Sequence, residues 1–177
     1  MLSLKRLQVP VNGRARGRGD LITFISTTTV RGVFTADVKL RAGGGGGGGG
    51  YVSARLDGEG GENGDYNNLG VRMVRGSMPV VVGAPAAGGA GAGTGSGSAD
   101  GDDGNDTTFA GFIANGNRGG KGAPMTTGSR GRIVPALSPP NPDGSNYGRG
   151  GLGGSGTSSS GNGNTGQGGA VFLTVKD

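Results

Sequence analysis

Eight consecutive glycines occupy residues 43–50, directly after a strand-like alternating segment. Ordering glycine costs more backbone entropy than ordering any other residue, roughly 0.5–1 kcal/mol each relative to alanine. A conventional globular core gains nothing from such a run. Two readings remain open. The run is either a flexible linker or an extended, three-residues-per-turn segment packed where no Cβ fits, as at the collagen axis. In the second case its amides and carbonyls must pair sideways with other segments, because buried backbone groups are rarely left unpaired.

The rest of the chain favours packing over a linker. Gly 46 and Pro 8 among 177 residues lie in the range of disordered or unusual folds. No strict G-X-Y period runs through the chain, which excludes collagen. Yet alternating segments bracket each glycine tract. Residues 20–30 are rich in Ile, Thr, Phe and Val. Within 33–41, Phe34, Ala36, Val38 and Leu40 share one face, with Thr35, Asp37, Lys39 and Arg41 on the other. Arg31-Gly32 reads as a turn or bulge between the two, giving an antiparallel pair. Further strands are expected at 51–56, 71–74, 78–82 and 170–175, with a short apolar segment at 107–114. Residues 57–68 read as a polar loop. Residues 133–147 hold four prolines and interrupt the glycine pattern. No segment has a helical period. The residues themselves lead to the expectation of a mainly β chain in which short strands alternate with packed, extended glycine tracts and no α-helix forms.

Composition removes several function classes. With no Cys and no His, disulfide frameworks, thiolate zinc sites and Ser-His-Asp triads are excluded. No apolar stretch reaches the length of a membrane span. Residues 1–20 are basic without an apolar segment, unlike a secretory signal. No catalytic constellation and no cofactor motif is evident, so the chain reads as a non-enzyme. Residues 100–106, rich in Asp, have oxygen ligands of the kind calcium prefers, but EF-hand spacing fails and a solvated turn explains them. Gly119-Gly120-Lys121 lacks the flanking residues of a phosphate loop. Arg18-Gly19-Asp20 matches the integrin-binding tripeptide, a short motif that arises readily by chance. Arg14, Arg16 and Arg18 with a net charge of +5 suit nucleic acid, yet no aromatic residue is interleaved for base stacking.

The order of segments resembles the glycine-rich domain of bacteriophage tail fibre and tail appendage proteins. The pieces that carry it are a strand running into glycines at 38–50 and the segment 51–56. Then come Met78-Pro-Val-Val-Val-Gly83 before a Gly/Ala tract, residues 106–120, and the closing Gly168-Gly-Ala-Val-Phe-Leu-Thr-Val175. The resemblance covers residues 33–177 and implies a mainly β fold, a glycine-rich sandwich of short strands and packed polyglycine-type extended helices without α-helix, and a structural or adhesive role in a virion tail. Two regions are expected: a glycine-rich β/polyglycine domain at 33–177, which the resemblance covers, and a basic N-terminal docking arm with the first strand at 1–32, which it does not. The proline-rich 133–147 and the first 32 residues depart from the family's pattern.

Packed glycines present little except backbone, so side-chain selectivity is expected in the interrupting loops. Candidate receptor-binding residues are Asn63, Tyr66 and Asn67 in one loop, and Pro139, Pro140, Asn141 and Tyr147 in the other. Gly43, Gly46, Gly47 and Gly50 are the structural candidates. Low apolar content leads to the expectation of a homotrimer, docked through residues 1–32 to other tail or baseplate proteins and contacting a host-surface receptor. A glycine/arginine-rich nucleic-acid-binding protein is the alternative.

Overall fold

The computed structural model describes residues 8–11, 13–53, 55–93, 97–124, 133–157 and 161–176. The fold is mainly β, and the described residues contain no helix. Eight strands form: β1 (Gln8–Val11), β2 (Arg14–Gly17), β3 (Leu21–Phe24), β4 (Thr28–Arg41), β5 (Tyr66–Val81), β6 (Thr107–Phe109), β7 (Phe112–Ala114) and β8 (Ala170–Val175). β1 and β2 make a two-stranded sheet; the other six form one antiparallel sheet in the order β3-β8-β4-β5-β6-β7. The turn between β6 and β7 is Ala110-Gly111, both at positive φ (49° and 86°), the backbone twist that two-residue hairpins prefer.

The alternating face of β4 builds the core. Val30, Phe34, Ala36, Val38 and Leu40 are buried with Val171, Leu173 and Val175 of β8, Val74 and Val80 of β5, Phe109 and Ala114. Val11 from β1 and Ile22 from β3 belong to the same cluster.

Several strand expectations need correction. Arg31-Gly32 is not a turn: β4 runs straight through it, pairing Gly32 with Gly76 of β5. A Cβ at Gly32 would lie within 3.0 Å of the Pro10 carbonyl, so glycine there admits β1. β3 does not pair with β4, because the chain's last strand, β8, inserts between them. The expected strands at 71–74 and 78–82 are one strand, β5, of 16 residues, and β4 has 14, so the two central strands are long. The strand expected at 51–56 is not found: residues 51–53 and 55–56 belong to a turn. Tyr51 and Leu56 exchange backbone hydrogen bonds (2.7 and 3.0 Å), and Arg55 sits at positive φ.

That turn reverses the chain at the end of the glycine run. All eight glycines of 43–50 are buried. Their amides donate with a three-residue period. Gly43, Gly46 and Gly49 donate to the carbonyls of Asn105, Asp102 and Ala99. Gly44 and Gly47 donate to Gln167 and Asn164, and Gly45 and Gly48 to Glu62 and Glu59. These acceptor numbers descend, so three flanking segments run opposite to the central one. The carbonyls accept in the same rhythm: Gly45 and Gly48 from Gly151 and Gly154, Gly46 and Gly49 from Gly120 and Ala123, Gly47 and Gly50 from Gly89 and Ala92. Three more segments therefore run alongside in the same direction.

The six flanking segments also bond to one another in a closed ring. Glu62 donates to Arg118, Gly101 to Gly120, Asp102 to Ala87, Gly163 to Gly89, Asn164 to Leu152 and Gly61 to Gly151. The central run continues directly from β4. Segment 57–65, expected as a polar loop, is one member of this ring and leads into β5. The 161–169 segment leads into β8. The neighbours of β4 in the sheet thus remain its neighbours among the glycines.

Candidate functional site

The junction between sheet and glycine segments is built on Arg41. It ends β4, opposite Tyr66 on β5 and Ala170 on β8. Strand alternation places it on the face away from the main core, yet it is only 1% exposed. Its Nε donates to Asn141 Oδ1 (3.0 Å), its Nη1 to the Gly64 carbonyl (3.2 Å) and its Nη2 to the Pro139 carbonyl. The guanidinium carbon lies 4.6 Å from the Tyr66 ring centroid, a cation–π contact. Burial lowers the Arg41 pKa from its ordinary value, while Tyr66 and Asp65 act in the opposite direction. A guanidinium stays charged in proteins, so this burial is offset by planar, multi-pronged hydrogen bonding that a lysine could not supply.

Arg41 brings together the two loops that the sequence singles out. Asn141 is 4% exposed and works as an internal clamp. Its Nδ2 donates to the carbonyls of Ser145 (3.1 Å) and Tyr147 (2.9 Å) while its oxygen holds Arg41. Asn63 bridges the loops: its Nδ2 donates to the Pro135 carbonyl (3.0 Å) and its Oδ1 accepts from the Gly150 amide (3.0 Å). Asn67 donates to the Ile113 carbonyl (2.9 Å). Pro139 and Pro140 are exposed, and Tyr66 and Tyr147 are half-buried. Tyr147 borders a cavity of about 370 Å³ that also takes in Ile25, Pro85 and Gln167. Asp143 fastens the loop to the sheet, accepting from Thr23 Oγ1 (3.1 Å) and the Ser145 amide (3.0 Å). Burial alone would raise the Asp143 pKa; hydrogen bonds from Ser145 and Thr23 outweigh it and hold the carboxyl below its ordinary value.

The acidic run has a backbone role. Asp100, Asp103 and Asp106 accept from the amides of Gly122 (2.7 Å), Gly119 (2.8 Å) and Gly116 (2.8 Å). Both series step by three residues, so one segment's carboxylates satisfy outward-facing amides of the next. Among the described residues no group of three or more His, Cys, Asp or Glu side chains is placed to hold a metal ion. The phosphate-loop look-alike is likewise occupied: Gly120 donates to the Gly46 carbonyl (2.7 Å) and Gly119 to Asp103. Asp20 of the Arg-Gly-Asp tripeptide accepts from the Gly17 amide (2.9 Å).

Arg41 escapes the sequence reading because alternation assigns it to the solvent face. Its position two residues before the glycine run is the signal that marks it. The three-residue order was also readable locally, in Gly58/Gly61/Gly64, Gly116/Gly119/Gly122 and Gly163/Gly166/Gly169. No protein-family model matches this chain, and no curated protein matches it.

Proposed function

We propose that this chain is a non-enzymatic structural and adhesive component of a bacteriophage tail, carrying host-contacting loops on a rigid glycine scaffold. The observation that carries the reading is the buried glycine run, with its three-residue bonding period and its closed ring of neighbours. We infer from it that the tracts are polyglycine-type extended helices, for which a rise of about 3.1 Å per residue is ordinary. Such a bundle is stiff and leaves only its interrupting loops free to vary. The segment order that resembles tail fibre and appendage proteins supports the location.

In this reading the surface beside Arg41 contacts the host. Pro139, Pro140, Tyr66, Asn67 and Tyr147 offer contacts at low entropy cost, and Asn63, Asn141 and Arg41 fix their positions. Residues 1–32 dock to other tail or baseplate proteins, and the protein assembles as a homotrimer. Pro140→Gly combined with Tyr147→Ala spares the Arg41 clamp. It is expected to leave particle assembly intact and to reduce host adsorption. Electron microscopy of particles labelled against this protein is the direct test: label at the tail supports the reading, and label absent from purified particles overturns it.

The exposed arginines Arg14, Arg18, Arg31, Arg72 and Arg75 favour the second reading, nucleic-acid binding. Strongly salt-dependent retention on RNA or DNA would support it instead.

A further inference from the structure

We propose that the cleft between the β1–β2 hairpin and β3 binds a carboxylate carried on an extended, partly apolar peptide segment of a partner protein. The cleft has a volume of about 310 Å³ and is lined by Val11, Arg14, Arg16, Ile22 and Phe24. Residues two apart on a strand share a face. β2 therefore presents Arg14 and Arg16 together, and β3 presents Ile22 and Phe24 together. Val11 and Ile22 are anchored in the core and Phe24 packs against it, so the floor is apolar and fixed.

Arg16 carries the argument. Its Nε is buried and has no hydrogen-bond partner among the described residues. Buried donors almost always find an acceptor, and a charged donor without one is destabilising. Neither Arg14 nor Arg16 makes an ion pair among the described residues. Asp20, just beyond β2, turns its carboxylate to the Gly17 amide instead. The cleft thus holds two guanidinium groups over an apolar floor. A carboxylate matches guanidinium geometry in paired hydrogen bonds. The apolar floor beside the guanidinium groups suits a carboxylate borne on an apolar chain better than a free, fully hydrated phosphate.

The backbone indicates the shape of the ligand. β3 is an edge strand, paired with β8 on one side and with no strand on the other among the described residues. An extended segment can add along such an edge through main-chain hydrogen bonds, with alternate side chains entering pockets. One apolar residue would cover Ile22 and Phe24, and an acidic one would reach Arg16. The proposal does not depend on where the protein works.

The test is nuclear magnetic resonance of the full chain, following arginine Nε–H signals. The probes are a capped pentapeptide alternating valine and glutamate, its glutamine counterpart, and inorganic phosphate. Saturable shifts of Arg14 and Arg16 with the glutamate peptide are expected. Binding of the glutamine peptide should be weaker by about tenfold or more. Arg16→Met should weaken glutamate-peptide binding by a similar factor while leaving the melting temperature unchanged or higher, since it removes a buried donor that has no acceptor among the described residues. Arg14→Gln, at an exposed position, should weaken binding without touching the fold. Equal binding of both peptides, or the same shifts with phosphate alone, would overturn the proposal. So would a lower melting temperature for Arg16→Met, which would make Arg16 a structural residue.

Discussion

At the scale of single residues, Arg41 and Asp143 hold the loop 133–147 by different means. Arg41 is buried and supplies three hydrogen bonds; Arg41→Ala would strand the acceptors on Asn141, Gly64 and Pro139. The expected loss is about 3 kcal/mol or more, read from denaturant unfolding. Arg41→Lys should recover little, because one ammonium cannot span acceptors on three residues. Asp143 is exposed, so its effect is modest and depends on pH. Its folded pKa lies below the unfolded value. Its stabilisation is therefore complete above the ordinary carboxyl value of about 3.9 and is lost as pH falls through the lower, folded value. Asp143→Asn should flatten this part of the acid unfolding profile and leave stability near pH 7 only slightly reduced. An unchanged acid profile would remove Asp143 as the fastening of this loop.

At the scale of elements, the central glycine run has no room for a side chain from Gly44 to Gly50, whereas there is room at the end of a flanking segment. A Cβ added at Gly46 would approach the Ala87 carbonyl, and one at Gly47 the Leu152 carbonyl, each to under 3.0 Å. Gly93 has nothing within 4 Å of its added Cβ. Gly46→Val or Gly47→Val should abolish folding or assembly, whereas Gly93→Ala should change stability by no more than about 0.5 kcal/mol. Folding of Gly46→Val as well as the parent would return the run to a linker. How far the sequence revealed this follows from the kind of signal each element carries. β8 was legible to its ends, because Val171, Leu173 and Val175 alternate cleanly. β4 was legible in its second half and missed at Arg31-Gly32, where glycine admits a neighbouring strand that only the folded chain reveals. The turn at 51–56 was misread because Val52 and Leu56 imitate alternation. Residues 57–68 were read as a loop because their polar side chains hide the Gly58/Gly61/Gly64 period that makes 57–65 part of the glycine ring, and the inward roles of Asn63 and Asn141 depend on long-range partners, Arg41 among them, that local pattern does not disclose.

At the scale of the whole molecule, backbone pairing replaces much of what a larger apolar core would supply. The sheet also leaves a surface open. Among the described residues β6 pairs with β5 only at Val80 and Val81, while β4 runs along β5 from Tyr66 to Val80 on its other side. Along that open stretch Val71 and Met73 are 58% and 62% exposed, and Val33 on the adjacent β4 is 66% exposed. Exposed apolar residues beside an unpaired strand edge favour association. Light scattering at micromolar concentration should give a mass above the 17.1 kDa of one chain, and Met73→Lys should lower it; a folded monomer would contradict the proposed trimer. The central claim is that the glycine run is the ordered axis of the molecule. Amide hydrogen exchange at residues 43–50 tests it most directly. The account predicts protection there approaching that of the core strand β4, since each of these amides is buried and donates to a neighbouring segment. Exchange at the rate of an unstructured peptide across 43–50, with β4 still protected, would contradict it.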